Sequence, residues 1–128
     1  MAGFIGSPSM NFMKGKILSN ENLFEIGQTK ISLQDYPFIN AISSDIEVIF
    51  DIRPEDININ KNDVSSLKCK VELIEPMGVD ALIWTSIEKT PISIRIEGNN
   101  SFELGDEIEI TLNIPRASIF DKISEKRI

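Results

Sequence analysis

Carboxylates are the side chains in surplus: 20 Asp and Glu stand against 13 Lys and Arg, with no histidine and one cysteine in 128 residues. They gather as Glu47/Asp51, Glu55/Asp56 and Asp106/Glu107/Glu109. Paired acids hydrolyse bonds when one is held protonated and the other ionised. Most of these, however, fall at outward positions of alternating segments or in turns, where a solvated face is expected. The run Asp56-Ile57-Asn58-Ile59-Asn60 offers oxygen ligands but lacks the glycine and closing bidentate glutamate of a calcium loop. Without histidine there is no imidazole acid–base pair, no Ser-His-Asp triad and no His metal site. One cysteine excludes a Cys-rich zinc cluster. The phosphate-cradling pattern GxxxxGK[ST] is also missing, since Gly15-Lys16 is followed by Ile17 and the first glycine position holds Met10. The expectation is a non-enzyme with no catalytic residue, no metal ligand and no cofactor.

Binding chemistry is more open. The formal charge of −7 favours solubility and works against polyanions, and the lysines are scattered among acids, so no nucleic-acid partner is expected. Phe4, Phe12, Phe24, Phe38, Phe50, Phe102, Phe120, Tyr36 and Trp84 are not interleaved with arginines, and core packing accounts for most of them. Trp84 is the exception, because a tryptophan rarely buries fully and favours interfaces. Cys69 cannot form an internal disulfide; it is expected to pack as a small hydrophobe in a reducing compartment. No apolar run approaches the ~20 residues of a membrane span, and no signal-peptide layout opens the chain, so a cytoplasmic protein without direct membrane insertion is expected.

The elements that must position these groups are strands. Ile46, Val48, Phe50 and Ile52 alternate with Glu47, Ile49 and Asp51. The same period runs through Cys69, Val71 and Leu73, through Ile92, Ile94 and Ile96, and through Ile108, Ile110, Leu112 and Ile114. Period two places one set on a buried face and the other in water. Pro76-Met77-Gly78, Gly98-Asn99-Asn100-Ser101 and Leu104-Gly105-Asp106 supply turns between Lys68–Glu75, Asp80–Glu88, the strand begun at Lys89-Thr90-Pro91 and Glu107–Ile114. Lys14–Leu18, Leu23–Ile26 and Thr29–Leu33 are shorter strands, the last two linked by Gly27-Gln28. Helix is confined to a short helix or turn in Gln34–Ser44, a single turn at Pro54-Glu55-Asp56 and a last one at Ala117–Phe120. The fold class is all-β: a small antiparallel barrel of the oligonucleotide/oligosaccharide-binding (OB) type with additional N-terminal strands.

One corner stands apart. In Ile52-Arg53-Pro54-Glu55-Asp56, Pro54 stops the ladder and fixes Arg53 at the end of a strand, where Arg53 and Glu55 either pair with each other or both face a partner. The string resembles the GIRPEDI motif in ATPase subunits of bacterial ABC importers for sugars and glycerol-3-phosphate, the maltose-importer type, with Asp51 in place of the usual glycine. Upstream, Phe4-Ile5-Gly6-Ser7-Pro8 to Met10-Asn11-Phe12 resembles the FIGSPxMNF run that leaves the nucleotide-binding domain. Downstream, Val71–Gly78 is similar to VExxEPLG, Leu104–Ile108 to PGDEV, and Ile119-Phe120-Asp121 with Lys126-Arg127-Ile128 to the closing HLFDxxTGxRI without its Thr-Gly.

That resemblance implies a C-terminal regulatory domain, the transport-associated OB (TOBE) domain, which is β-rich and does not catalyse. It divides the chain into 1–12, a linker that follows an absent nucleotide-binding domain, and 13–128, the TOBE/OB-like domain. It implies a homodimer, an N-terminal ATPase domain and membrane permease subunits in the full protein, and regulatory proteins as docking partners. It places the protein at the inner face of the cell membrane. Phe4, Ile5, Met10, Arg53, Glu55 and Trp84 are the interface candidates. An alternative from another class is a domain that senses a small ligand, an oxyanion or a sugar.

Overall fold

The computed structural model describes residues 10–39, 42–59, 66–98 and 102–128. Among these residues eleven strands, β1 Asn11–Leu18, β2 Leu23–Ile26, β3 Thr29–Ser32, β4 Ile46–Ile52, β5 Ile57–Ile59, β6 Leu67–Lys70, β7 Leu73–Met77, β8 Asp80–Ile87, β9 Thr90–Glu97, β10 Glu107–Leu112 and β11 Ser118–Asp121, pair in three sheets. The first has order β11-β4-β1-β2-β3, the second β5-β10-β6 and the third β7-β8-β9. All registered pairings are antiparallel, as the expected class requires.

The three sheets share one apolar core. Val48, Phe50 and Ile52 of β4, Met13 and Ile17 of β1, Ile83 and Ile87 of β8, Ile92 and Ile94 of β9 and Ile108 and Ile110 of β10 all bury in it. Phe24 and Phe50 lie tilted with ring centroids 5.0 Å apart. Gly15 makes that packing possible, because a Cβ there would meet Phe24 Cζ at 2.7 Å. A strand glycine here marks a close approach, with the ring of a neighbouring strand filling the space.

Two expectations are corrected. Ala117–Phe120 is not a helical turn: a 3₁₀ turn lies earlier, at Ile114–Arg116, and Ser118–Asp121 is an edge strand on β4. Lys68–Glu75 is not one strand but two. Up to Lys70 the chain pairs with β10, and from Leu73 it pairs with β8. Val71 N–H donates to Asp106 O and Glu72 N–H to Trp84 O, so the corner is satisfied by both neighbours in turn. Crossing between sheets breaks the alternation, leaving Val71 buried but Leu73 53% exposed. Elsewhere the expected turn falls at Gln34 and Asp35, and a single 3₁₀ turn occupies Pro54–Asp56.

Side chains tie the sheets together at both ends. Asn11 Nδ2 donates to Ser93 O at 2.8 Å, and its Oδ1 accepts from Ser93 N–H at 2.8 Å and Ser93 Oγ at 3.0 Å. At the opposite end Thr29 Oγ1 donates to Glu88 Oε2 at 2.7 Å, and the Glu88 side chain lies where a Cβ on Gly27 would stand. The β8–β9 hairpin turns through Glu88 at φ 49° and Lys89 at φ 70°, a left-handed pair made without glycine or asparagine.

Candidate functional site

The exposed face of the five-stranded sheet has two ends of different chemistry. At one end a row of alternating charge crosses the strands: Lys30 on β3, Glu25 on β2, Lys16 on β1 and Glu47 on β4 are register partners in sequence. Lys122 completes the row with an ion pair to Glu47 at 3.4 Å. Such exposed pairs contribute little each, and they make a wet, patch-free surface. At the other end Phe12, Asp51 and Ser118 are register partners, followed by Lys14, Ile49 and Phe120. Phe12 is 45% exposed, while Asp51 is only 7% exposed and its Oδ1 has no hydrogen-bond partner among the described residues. Burial pushes the Asp51 carboxyl up from 3.8 to about 7.

The third sheet presents a second outward surface. Leu73 and Ser93 flank Trp84 in register, and Met77 stands opposite Asp80. Trp84 is half-buried and its Nε1 donates to Glu75 Oε1 at 3.0 Å. Leu73, Met77 and Val79, the last 89% exposed, line the hairpin beside it. Arg95 and Asp80 pair at 3.7 Å on the same face.

The Arg53–Asp56 corner separates its roles by residue. Pro54 is buried, and Asp56 pairs with Arg116 at 3.7 Å while its carbonyl accepts from Asn113 N–H. Arg53 and Glu55 are both exposed, and among the described residues neither enters an ion pair, with the other or elsewhere. Of the interface candidates, then, Arg53, Glu55 and Trp84 reach the surface at separate places and Met10 is half-buried just ahead of β1. Phe4 and Ile5 lie outside the described residues.

Sequence reasoning gave no role to Asn11, read Tyr36 only as one of the aromatics of the core, and placed Asp51 on a solvated face, an expectation its burial corrects. Tyr36 is buried, its ring edge-on to Phe38 at 4.7 Å, and its Oη accepts from Ile119 N–H at 3.0 Å on the open side of β11. Nothing short-range marks such partners, which lie 82 or 83 residues away. Asp51 did carry a signal: its β4 neighbours include three apolar residues that bury, and an acid inside such a strand has few ways to stay hydrated. Cys69 is half-buried rather than sealed, and desolvation raises its thiol above the usual range. It lines an open groove of about 650 Å³ with Lys68, Lys70, Glu72, Glu107, Ile108 and Glu109.

Comparison with known proteins gives this geometry its context. The TOBE domain family matches residues 51–120, more than half of the chain. The chain belongs to that family. Residues 6–57 match the MalK OB fold domain, so the two matches overlap only at 51–57, the end of β4 and the Arg53 corner. The oligosaccharides import ATP-binding protein MsmX of Bacillus subtilis is 32% identical over 141 residues, covering 100% of this chain. The multiple sugar-binding transport ATP-binding protein MsmK of Streptococcus mutans is 28% identical and the sulfoquinovosyl glycerol transport ATP-binding protein SmoE of Agrobacterium fabrum 25%, each over the whole chain. The TOBE chain spans only 36–37% of the length of these three relatives. Among solved structures, the cytoplasmic molybdate-binding protein ModG superposes with a TM-score of 0.67 at 14% identity, covering 90% of this chain and 98% of that one, a likeness of fold. Among the described residues, no helix is long and apolar enough to cross a membrane.

Proposed function

We propose that the chain is the non-catalytic regulatory and dimerisation part of the ATP-binding subunit of a carbohydrate ABC importer, acting in the cytoplasm through protein–protein contact. The observation that carries the reading is the full-length match to three sugar-import ATP-binding proteins, each far longer than this chain. The surface supports it: Arg53 and Glu55 are exposed at the Pro54 corner, and Trp84 sits among exposed Leu73, Met77 and Val79. An aromatic anchor rimmed by apolar and charged groups suits contact with another protein. On this reading the partners are a second copy, an ATPase domain preceding residues 1–12, membrane permease subunits and regulatory proteins. The oxyanion sensor fits less well, while an uncharged sugar is left to the test below. The groove beside Cys69 carries Glu72, Glu107 and Glu109 against Lys68 and Lys70, a net negative lining.

Light scattering over a range of concentrations tests the reading, with a dimer expected and a monomer throughout overturning it. ATP hydrolysis by the isolated chain is expected to be nil. Calorimetry with molybdate and with maltose separates the alternatives: micromolar binding of either would replace this proposal with the sensor.

A further inference from the structure

The outward face of the third sheet is a small apolar platform, and the pairing register lays out its rows. Leu73 of β7 lies beside Trp84 of β8, Glu75 beside Leu82, and Met77 beside Asp80. On the far side of β8, Arg95 and Glu97 of β9 continue the last two rows. Leu82 stands outside the shared core, yet it is only 1% exposed. Its neighbours on this face therefore cover it. The Trp84 bond to Glu75, the residue beside Leu82, draws the indole towards that row. Leu73 and Met77 remain exposed at the two ends of β7, and Val79 follows in the hairpin. Exposed apolar side chains grouped around a tryptophan and rimmed by charge mark a contact surface.

Shape and charge select the occupant. A pairing strand is disfavoured at both edges of the sheet. Pro76 gives β7 no N–H at that position, and the outer N–H and O of Ser93 on β9 are both taken by Asn11. Contact must therefore be made by side chains on the face. Three strands span ~10 Å with rows ~7 Å apart. A helix is ~10 Å across and its i and i+4 side chains lie ~6 Å apart, a close match. The charges on these rows are Glu75, Asp80 and Glu97 against Arg95, and Asp80 and Arg95 pair at 3.7 Å. Glu72, at the corner ahead of Leu73, adds another acid and accepts from Ser86 Oγ at 3.0 Å. The rim is net negative, as is the whole chain at −7.

We propose that this face docks one amphipathic helix of a partner protein, with its apolar stripe on Leu73, Trp84 and Met77 and with lysine or arginine on its flanks. This role rests on the protein-contact reading proposed above and gives one of its partners a chemistry. Basic flanks meet the acids of the rim and are steered to them over distance. An acidic helix with the same stripe meets repulsion instead.

Trp84 is the chain's single tryptophan, so its emission reports on the face directly. The probe is a helical peptide of about 18 residues with leucine at i, i+3, i+4 and i+7 and lysine elsewhere. Its addition is expected to move the emission saturably to shorter wavelength. The same peptide with glutamate for lysine is expected to bind about tenfold more weakly or not at all. Leu73→Ser combined with Met77→Ser, both at exposed positions, is expected to weaken the lysine peptide about tenfold. No saturable shift, equal binding of the two peptides, or undiminished binding by the double variant overturns the proposal. So does a shift on dilution alone, which puts a second copy on the face, or one with phosphatidylcholine vesicles, which puts a lipid surface there. Light scattering keeps the two readings apart. A monomer that binds the lysine peptide supports the helix site while overturning the dimer, and a dimer that ignores the peptide does the reverse.

Discussion

The Asp51 carboxyl is desolvated by burial, which favours its protonated form. It is raised from 3.8 to about 7, so between roughly those values the folded chain holds a proton that the unfolded chain has released. Stability attributable to this group therefore falls as pH climbs from about 4 to about 7 and levels off above. At ~1.4 kcal/mol per unit of pKa, the cost at pH 8 is on the order of 4 kcal/mol. Asp51→Asn is expected to be more stable than the unmutated chain in urea at pH 8, by a few kcal/mol as an order of magnitude, and the gap should shrink towards pH 5. Asp121 acts in the opposite direction but at the exposed C-terminal turn. The backbone N–H groups of Ser124 and Ile123 hold its carboxyl below the usual range, so whatever it contributes is lost only in acid. Cys69, half-buried beside Glu72 and Glu107, is poorly placed to form a thiolate near neutrality.

At the level of elements, the strands that read clearly are those whose period-two pattern stays within one sheet. Leu23–Ile26 and Ile46–Ile52 run with the bounds the alternation predicts, and Val48, Phe50 and Ile52 bury as a set. The alternation from Cys69 to Leu73 misleads because periodicity carries no record of which sheet a residue pairs with. A corner at Val71-Glu72 looks, in sequence, like uninterrupted strand. The Ser118–Asp121 strand is hidden for another reason: it is short, and only β4 and Tyr36 make it a strand. The Arg53 corner was legible because Pro54 announces it, whereas Asn11 and Tyr36 act across more than 80 residues and leave no local mark. The β8–β9 turn shows what an unsuitable residue costs. Lys89 is held at φ 70°, where a side chain is strained by about 1 kcal/mol. Lys89→Gly is accordingly expected to raise the thermal midpoint by a few degrees, corresponding to about 1 kcal/mol. Glu88, equally left-handed, should not tolerate the same exchange, because its side chain fills the space over Gly27 and takes the Thr29 hydroxyl.

Across the whole molecule, the three sheets hold together through one shared apolar core and the backbone corner at Val71-Glu72, and a few polar side chains add bridges between them. Asn11 is the most exacting of them. Its amide fills both backbone groups of Ser93, donor and acceptor, while its own backbone runs in register with Ile52 of β4. Asn11→Ala is expected to accelerate exchange around Ser93 while leaving the middle of β4 protected, since it frees two buried backbone groups at ~1–3 kcal/mol each. Uniform loss of protection would show that the bridge matters only for global stability. The arrangement also has a mechanical meaning. A strand gripped on one side alone peels away bond by bond when its end is pulled. Here tension arriving along the chain ahead of residue 11 would meet β4 and β9 together, so the load is shared in shear between two sheets. The first residue of β1 is thereby a force-bearing joint, through which a displacement upstream would turn the body as a unit instead of unravelling its edge.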